Sequence, residues 1–243
     1  EKAADKELQQ VKAQLLKRIK QNGSTPEDFF AHTVRRAIDQ ILDGANNQRW
    51  RYDQLSDKPE KTFVGTRIEV LAQKELGLDK NSDTDYLVGK VGVDMKTTKN
   101  GFAWQIPANA VKDQHICLVL RYQDEASRTF SVGLVRARAA AMNQGKNQDQ
   151  KTTLSRDGRQ HIEWIVEDAP LPMNPLGLME ETRREQFEML QSEQISVSDK
   201  VSLWVSFARE EGVVWHRDVF ETMDIPLEQA LDAIAELRET GVE

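Results

Sequence analysis

Cysteine is almost missing from this chain: its 243 residues include one, Cys117, inside the apolar run HICLVL. A single thiol excludes an internal disulfide and fits a reducing cytoplasm. It also leaves little thiol chemistry to build on, because a cysteine inside a buried strand is inert rather than nucleophilic. Long apolar runs are missing too. Nothing approaches the roughly 20 residues of a membrane span, and the opening EKAADKELQQ is charged and helical, unlike a secretory signal. No internal repeat of useful length is visible.

Positive charge is not in surplus either. Lys and Arg number 33 against 40 Asp and Glu, a net charge of −7, which at face value argues against a polyanionic partner. The distribution changes that conclusion. Residues 198–243 hold 4 Lys and Arg and 11 Asp and Glu, which is the whole deficit, and the other 197 residues hold 29 of each. A balanced body with local basic loops can bind nucleic acid, and the acidic tail serves some other purpose.

What is present reads first as helix. Residues 1–20 place Val11, Leu15, Leu16 and Ile19 on one face, and NGS at 22–24 ends the pattern. Thr25 as N-cap, Pro26 at the first helical position and Glu27 and Asp28 in the first turn restart it, with a stop at Gly44. RWRYDQL (49–55) is a connector, and KTFVGTRIEVLAQKELG is a third helix ending at Gly77. The period then changes to two. TDYLV, VGVDMKTT, HICLVLRYQ, RTFSVGLVRAR and HIEWIVED are strands, and residues 141–151 form a polar loop. Pro-rich PLPMNPLG (170–177) marks a boundary. The domains expected are an N-terminal helix (1–24), a central α/β domain (25–178), a linker helix (179–197) and an all-α module (198–243) whose last helices resemble a helix-turn-helix or winged-helix core.

The chemistry concentrates in TDYLVGKVGVDMKTTK. Folded as two antiparallel strands around Gly89–Lys90, it points Asp94 and Lys96 to one face and brings Asp85 towards Asp94. Converging carboxylates repel unless a cation lies between them, and hard oxygen donors suit Mg²⁺. A neighbouring lysine can orient a water or stabilise charge growing on a phosphate. On the third helix, Gly65, Thr66, Glu69, Ala72 and Gln73 form a face small enough to lie close against another element, with Phe63, Val70 and Leu71 on the apolar side. Glu69 is thus a further acid for the group. On spacing alone, a surface ion pair is the commoner explanation of such an Asp–Lys pair.

The pattern of an acid, about nine residues and then Asp-x-Lys, preceded by a helical Glu, resembles the PD-(D/E)xK nucleases. More narrowly, RWRYDQL, EKTFVGTRIEV, TDYLVGKVGVDMK, FAWQIP, HICLVL and VGLVRARA, in register over roughly residues 33–178, resemble the NaeI-type restriction endonucleases. GVDMKT is also similar to GVELKT of the mismatch-repair nickase MutH. One departure is Thr84–Asp85, where the family pattern has Pro-Asp. The resemblance implies a restriction-endonuclease-like mixed sheet flanked by helices and Mg²⁺-dependent cleavage of double-stranded DNA, with Mn²⁺ as a substitute. It implies Asp85, Asp94 and Glu69 as metal ligands and Lys96 as the water-orienting or charge-stabilising group. It further implies a C-terminal module that binds a second DNA copy. Against this last point, LEQALDAIAELRE and the Asp224 before it carry five acids and one Arg, where phosphate contacts need Lys and Arg, so a protein contact is preferred.

DNA-facing candidates are Arg49, Arg51, Lys99, Lys146, Lys151, Arg156 and Arg159, with Trp104 as either core or DNA contact and the four histidines read as non-catalytic. The expectation is a cytoplasmic, metal-dependent endonuclease that works as a homodimer, because two strands need two sites related by a two-fold axis. A MutH-like nickase and a non-catalytic DNA-binding or assembly protein on a nuclease scaffold are the alternatives.

Overall fold

The computed structural model describes residues 5–47, 49–99, 101–144 and 149–178, together with positions 180–182, 184, 185, 232 and 235. Lys146, most of the linker helix and nearly all of the 198–243 module lie outside the described residues. The chain divides into two units. One comprises Glu1–Val34 and Gly65–Pro172, and the other takes Arg35–Val64 and the chain from Met173 onward. The borders fall inside two helices, α2 (Pro26–Leu42) and α4 (Lys58–Leu76).

The first unit is built on a six-stranded sheet. Its strands are β1 (Asp79–Lys80), β2 (Tyr86–Val88), β3 (Val91–Thr98), β5 (Ile116–Gln123), β6 (Thr129–Arg136) and β8 (Glu163–Pro170), lying side by side in that order. Every neighbouring pair is antiparallel except β3 and β5, which are parallel. A parallel pair needs a crossover. Here it carries β4 (Ile106–Pro107) and α5 (Ala108–Lys112), and β4 pairs with β7 (Lys151–Thr152) in a separate two-stranded sheet. The result is a mixed, mostly antiparallel α/β arrangement flanked by helices.

Both faces of the central strands are covered, which is why ICLVL reads as a continuous apolar run rather than an alternating one. Cys117 and Val119 face a core of Trp104, Ile106, Ala137 and Leu154. On the other side, α1 (Lys6–Gln21) buries Leu8, Val11, Leu15 and Ile19 and lies against β2 and β6. Asp5 fixes the start of α1 in two ways. Its Oδ1 accepts the Leu8 N–H at 3.1 Å as an N-cap, and its carboxylate receives Arg136 of β6, one of the two bonds at 3.0 Å. Thr25 caps α2 as its sequence predicts, accepting the Asp28 N–H at 3.1 Å.

The helix α4 departs from expectation on one side. Phe63 and Val70 are exposed (58% and 40%), whereas Val64, Ile68, Leu71 and Ala72 are buried. The buried stripe is therefore turned by about one residue from the predicted apolar side, towards the face that carries Gly65 and Glu69. The close approach expected of that face is present. A Cβ added at Gly65 would meet Thr97 Oγ1 of β3 at 2.4 Å.

The second unit contains the remainder of α2, a short helix α3 (Gly44–Asn47), a helical turn at Tyr52–Gln54 and α7 (Pro175–Leu178). Arg49 closes α2, donating from Nε to the Leu42 carbonyl at 2.9 Å and from Nη2 to the Ile41 carbonyl at 3.0 Å. The remaining short helix, α6 (Arg156–Arg159), belongs to the first unit.

Candidate active site

β2 and β3 form a hairpin whose register pairs Tyr86 with Val93 and Val88 with Val91. The two-residue connection requires left-handed backbone at Gly89 (φ 67°), where only glycine sits without strain. A three-residue β2 is too short to pair the whole of β3. Met95, two residues beyond Val93, presents its N–H to the same edge, and the Asp85 side chain supplies the missing acceptor, with Oδ2 at 2.7 Å. Thus Asp85 is held where the strand ladder ends.

Strand alternation sets the rest. Asp94 and Lys96 share the sheet face of Cys117 and Val119, their register partners on β5. Lys96 Nζ lies 3.3 Å from Asp85 Oδ2 and 3.8 Å from Asp94 Oδ1, so one ammonium bridges two carboxylates. Asp94 is 7% exposed, and a charge that buried needs partners. Its second partner is His115, at the residue before β5, with Nδ1 2.8 Å from Asp94 Oδ2.

Glu69 belongs to the same electrostatic field without joining the hydrogen-bonded set. Its carboxyl is held above its ordinary range by burial first and next by the charge of Asp85. Asp94 adds to the rise, while Lys96 and Lys80 oppose it. The Gly65–Thr97 contact puts α4 on the face of Thr97, opposite the face of Asp94 and Lys96. Tyr86 is buried against the same charges: burial, then Glu69, Asp85 and Asp94, raise its phenol well above the usual range. Tyr86 Oη has no hydrogen-bond partner among the described residues. The Cys117 thiol is pushed up to about 12 by burial and by Asp94, and so stays protonated.

Among the described residues, no three His, Cys, Asp or Glu side chains stand close enough together to hold an ion between them. Two carboxylates meeting at Lys96 are nevertheless a donor set of the kind Mg²⁺ takes, since that ion completes its shell with water. Glu69, raised in part by the charges of Asp85 and Asp94, lies in the surrounding field, whose negative charge a cation would relieve. In chemistry, the residues fit such an ion.

Several of the described candidate DNA contacts are engaged in interactions of their own. Arg49 is engaged as the α2 cap and in an ion pair with Glu60 at 2.9 Å. Arg51 is exposed and paired with Asp53 at 3.0 Å, and Lys99 pairs with Glu125. Lys151 lies in β7 and Arg156 is exposed at the start of α6. Arg159 stacks on the Phe102 ring 4.6 Å from its centroid, and Arg121, which the sequence did not single out, stacks on the same ring at 4.6 Å. Trp104 is a core residue, fully buried, with its indole N–H donated to the Leu120 carbonyl at 2.9 Å. His115 is the residue near the acids that the sequence leaves unmarked. Its place follows from the Asp94–Cys117 register, and no local pattern announces a parallel register.

A protein-family model described as restriction endonuclease NaeI matches residues 13–210. The type II restriction enzyme NaeI of Lentzea aerocolonigenes is 33% identical over 135 residues, which cover 56% of this chain and 41% of that protein. The match therefore spans about two fifths of that relative's length. With a family match over most of its length, a mixed sheet flanked by helices and an Asp–Asp–Lys group at the end of a β-hairpin, the chain belongs to the NaeI restriction endonuclease family.

Proposed function

We propose that this chain is a Mg²⁺-dependent endonuclease that hydrolyses phosphodiester bonds of double-stranded DNA, with Asp85, Asp94 and Lys96 at its reacting centre. The observation that carries the reading is the bridging of both carboxylates by Lys96 Nζ, at 3.3 and 3.8 Å, at the place where β2 begins. Asp85 and Asp94 would hold the metal, with Glu69 supplying further negative charge. When bound, Mg²⁺ would offset charge growing on the phosphate and lower the pKa of the attacking water. Lys96 orients that water or stabilises charge on a phosphate oxygen, and Met95 fixes Asp85 by its N–H. Family membership supports DNA as the substrate and a sequence-specific role in restriction and phage defence. A homodimer would supply the second site that a double-strand break needs. The acidic C-terminal module is assigned to a protein contact in preference to a second DNA copy.

The test is incubation of supercoiled plasmid with protein and Mg²⁺ or Mn²⁺, beside Lys96→Ala and Asp94→Ala variants. Linear fragments that vanish in both variants support the reading. Open circles alone point to a MutH-like nickase, and undiminished cleavage by Lys96→Ala removes Lys96 from the mechanism. Plasmid left supercoiled across metals and sequences supports the scaffold alternative.

A further inference from the structure

The two acids differ in how their oxygens are used. Asp85 Oδ2 accepts the Met95 N–H at 2.7 Å and lies nearest Lys96. Asp94 Oδ2 is taken by His115 at 2.8 Å, while its Oδ1 faces Lys96 at 3.8 Å. Each carboxylate thus has one oxygen fixed by a protein N–H and one oxygen left for another ligand. We propose that His115 is a positioning residue, whose Nδ1–H fixes Asp94 Oδ2 and so presents Oδ1 to the cation. This rests on the proposed use of Asp94 as a metal ligand.

Three observations support it. His115 has a rigid seat: its N–H donates to the Ala110 carbonyl and its carbonyl accepts the Ala137 N–H, both at 2.9 Å. Its side chain is enclosed with that of Asp94, at 14% and 10% exposure. It precedes Cys117 by two residues, which places it on the same sheet face as Asp94 and Lys96. Because the carboxylate can only accept, Nδ1 carries the hydrogen, which sets the tautomer of a neutral ring. A carboxylate with both oxygens free to turn would pay for its own ordering when an ion arrives, and an N–H on one oxygen removes that cost.

The experiment measures Mn²⁺ binding to the intact chain by titration calorimetry, with plasmid cleavage against Mg²⁺ concentration beside it. His115→Leu removes the donor. His115→Asn keeps an N–H at the place of Nδ1. The expected result is Mn²⁺ affinity, and half-saturating Mg²⁺, weakened about 10- to 100-fold in His115→Leu, with His115→Asn within roughly threefold of wild type. If His115→Leu does not fold, His115→Gln, whose amide is one methylene too far out, takes its place and is expected to be weakened likewise. Equal metal affinity in all variants, or an equal loss in the leucine and asparagine variants, overturns the proposal. So does a wild type that binds no Mn²⁺. A Mn²⁺ pattern as expected in a protein that cuts no DNA supports His115 while refuting the nuclease reading, so the two can fail separately.

Discussion

Gly65→Ala tests whether the close approach of α4 to β3 positions the site. In an unconstrained helix interior this change stabilises by about 1 kcal/mol, through backbone entropy. At residue 65 the added Cβ would lie 2.4 Å from Thr97 Oγ1, where ordinary contact begins at 3.4 Å, so the elements must part by roughly 1 Å. Overpacking of that kind costs about 1–3 kcal/mol, enough to cancel or reverse the helix gain. The informative quantity is therefore the coupling with Thr97→Ala, which removes the obstructing oxygen. In that background Gly65→Ala should stabilise by about 1 kcal/mol, which gives a coupling energy of about 2 kcal/mol in the double-mutant cycle. Urea unfolding followed by tryptophan fluorescence and circular dichroism supplies the four stabilities. Glu69 is one helical turn from Gly65, so the same displacement should lower cleavage about 10- to 100-fold in the single variant, with recovery in the double variant relative to Thr97→Ala alone. A coupling below about 0.5 kcal/mol, within the error of independent sites, would refute the packing argument.

Two further outcomes concern stability. The Asp5 carboxyl is held below its ordinary value, by the Arg136 hydrogen bond first and also by the Leu8 N–H. With the folded pKa depressed, the stabilisation is fully present above about 3.8, the unfolded value, and is lost as pH falls through the folded pKa. Asp5→Asn keeps a competent N-cap and loses the ion pair, so it should cost about 1 kcal/mol at neutral pH and flatten the acid limb of an unfolding profile. Asp5→Ala should cost about 1 kcal/mol more, and equal losses in the two variants would remove the cap from the account. Tyr86→Phe deletes a buried hydroxyl that lacks a partner among the described residues, so its unfolding free energy from urea titration should be unchanged or raised, by up to about 1 kcal/mol. A loss of 2 kcal/mol or more would show that Oη does have a partner.

The hairpin of the site was legible because its signals are local. Gly89–Lys90 between alternating runs specifies a tight turn, and β3 lies at the residues that VGVDMKTT predicts. Thr25 and Pro26 announce α2 for the same reason. The small face around Gly65 was also legible, since a helix can approach closely only where side chains are absent. By contrast, the exposure of Phe63 and Val70 depends on what packs against α4, and composition does not carry that. His115 was hidden for a similar reason. Its contact with Asp94 spans 21 residues and arises only once the crossover sets β5 parallel to β3 in the observed register. Arg49 is a DNA-contact candidate in the sequence, and its hydrogen bonds to the last carbonyls of α2 are not legible there, because they depend on where that helix ends.

The balance of charge at the site also argues about what the fold was selected to do. Asp94 is 7% exposed, Asp85 is beside it, Glu69 is near enough to be pushed up by both, and Lys96 is the cation that bridges the first two. Buried charge costs several kcal/mol even when paired, and replacing such a group with well-packed apolar residues is often neutral or stabilising. Stability alone would therefore have no use for a third carboxylate here. Lys96 offsets part of the charge of two acids, and the Met95 N–H and His115 Nδ1 orient them. An arrangement that fixes two carboxylates in direction, shares one lysine between them and keeps a third acid nearby retains net negative charge, which suits the proposed reception of a cation better than a surface ion pair does.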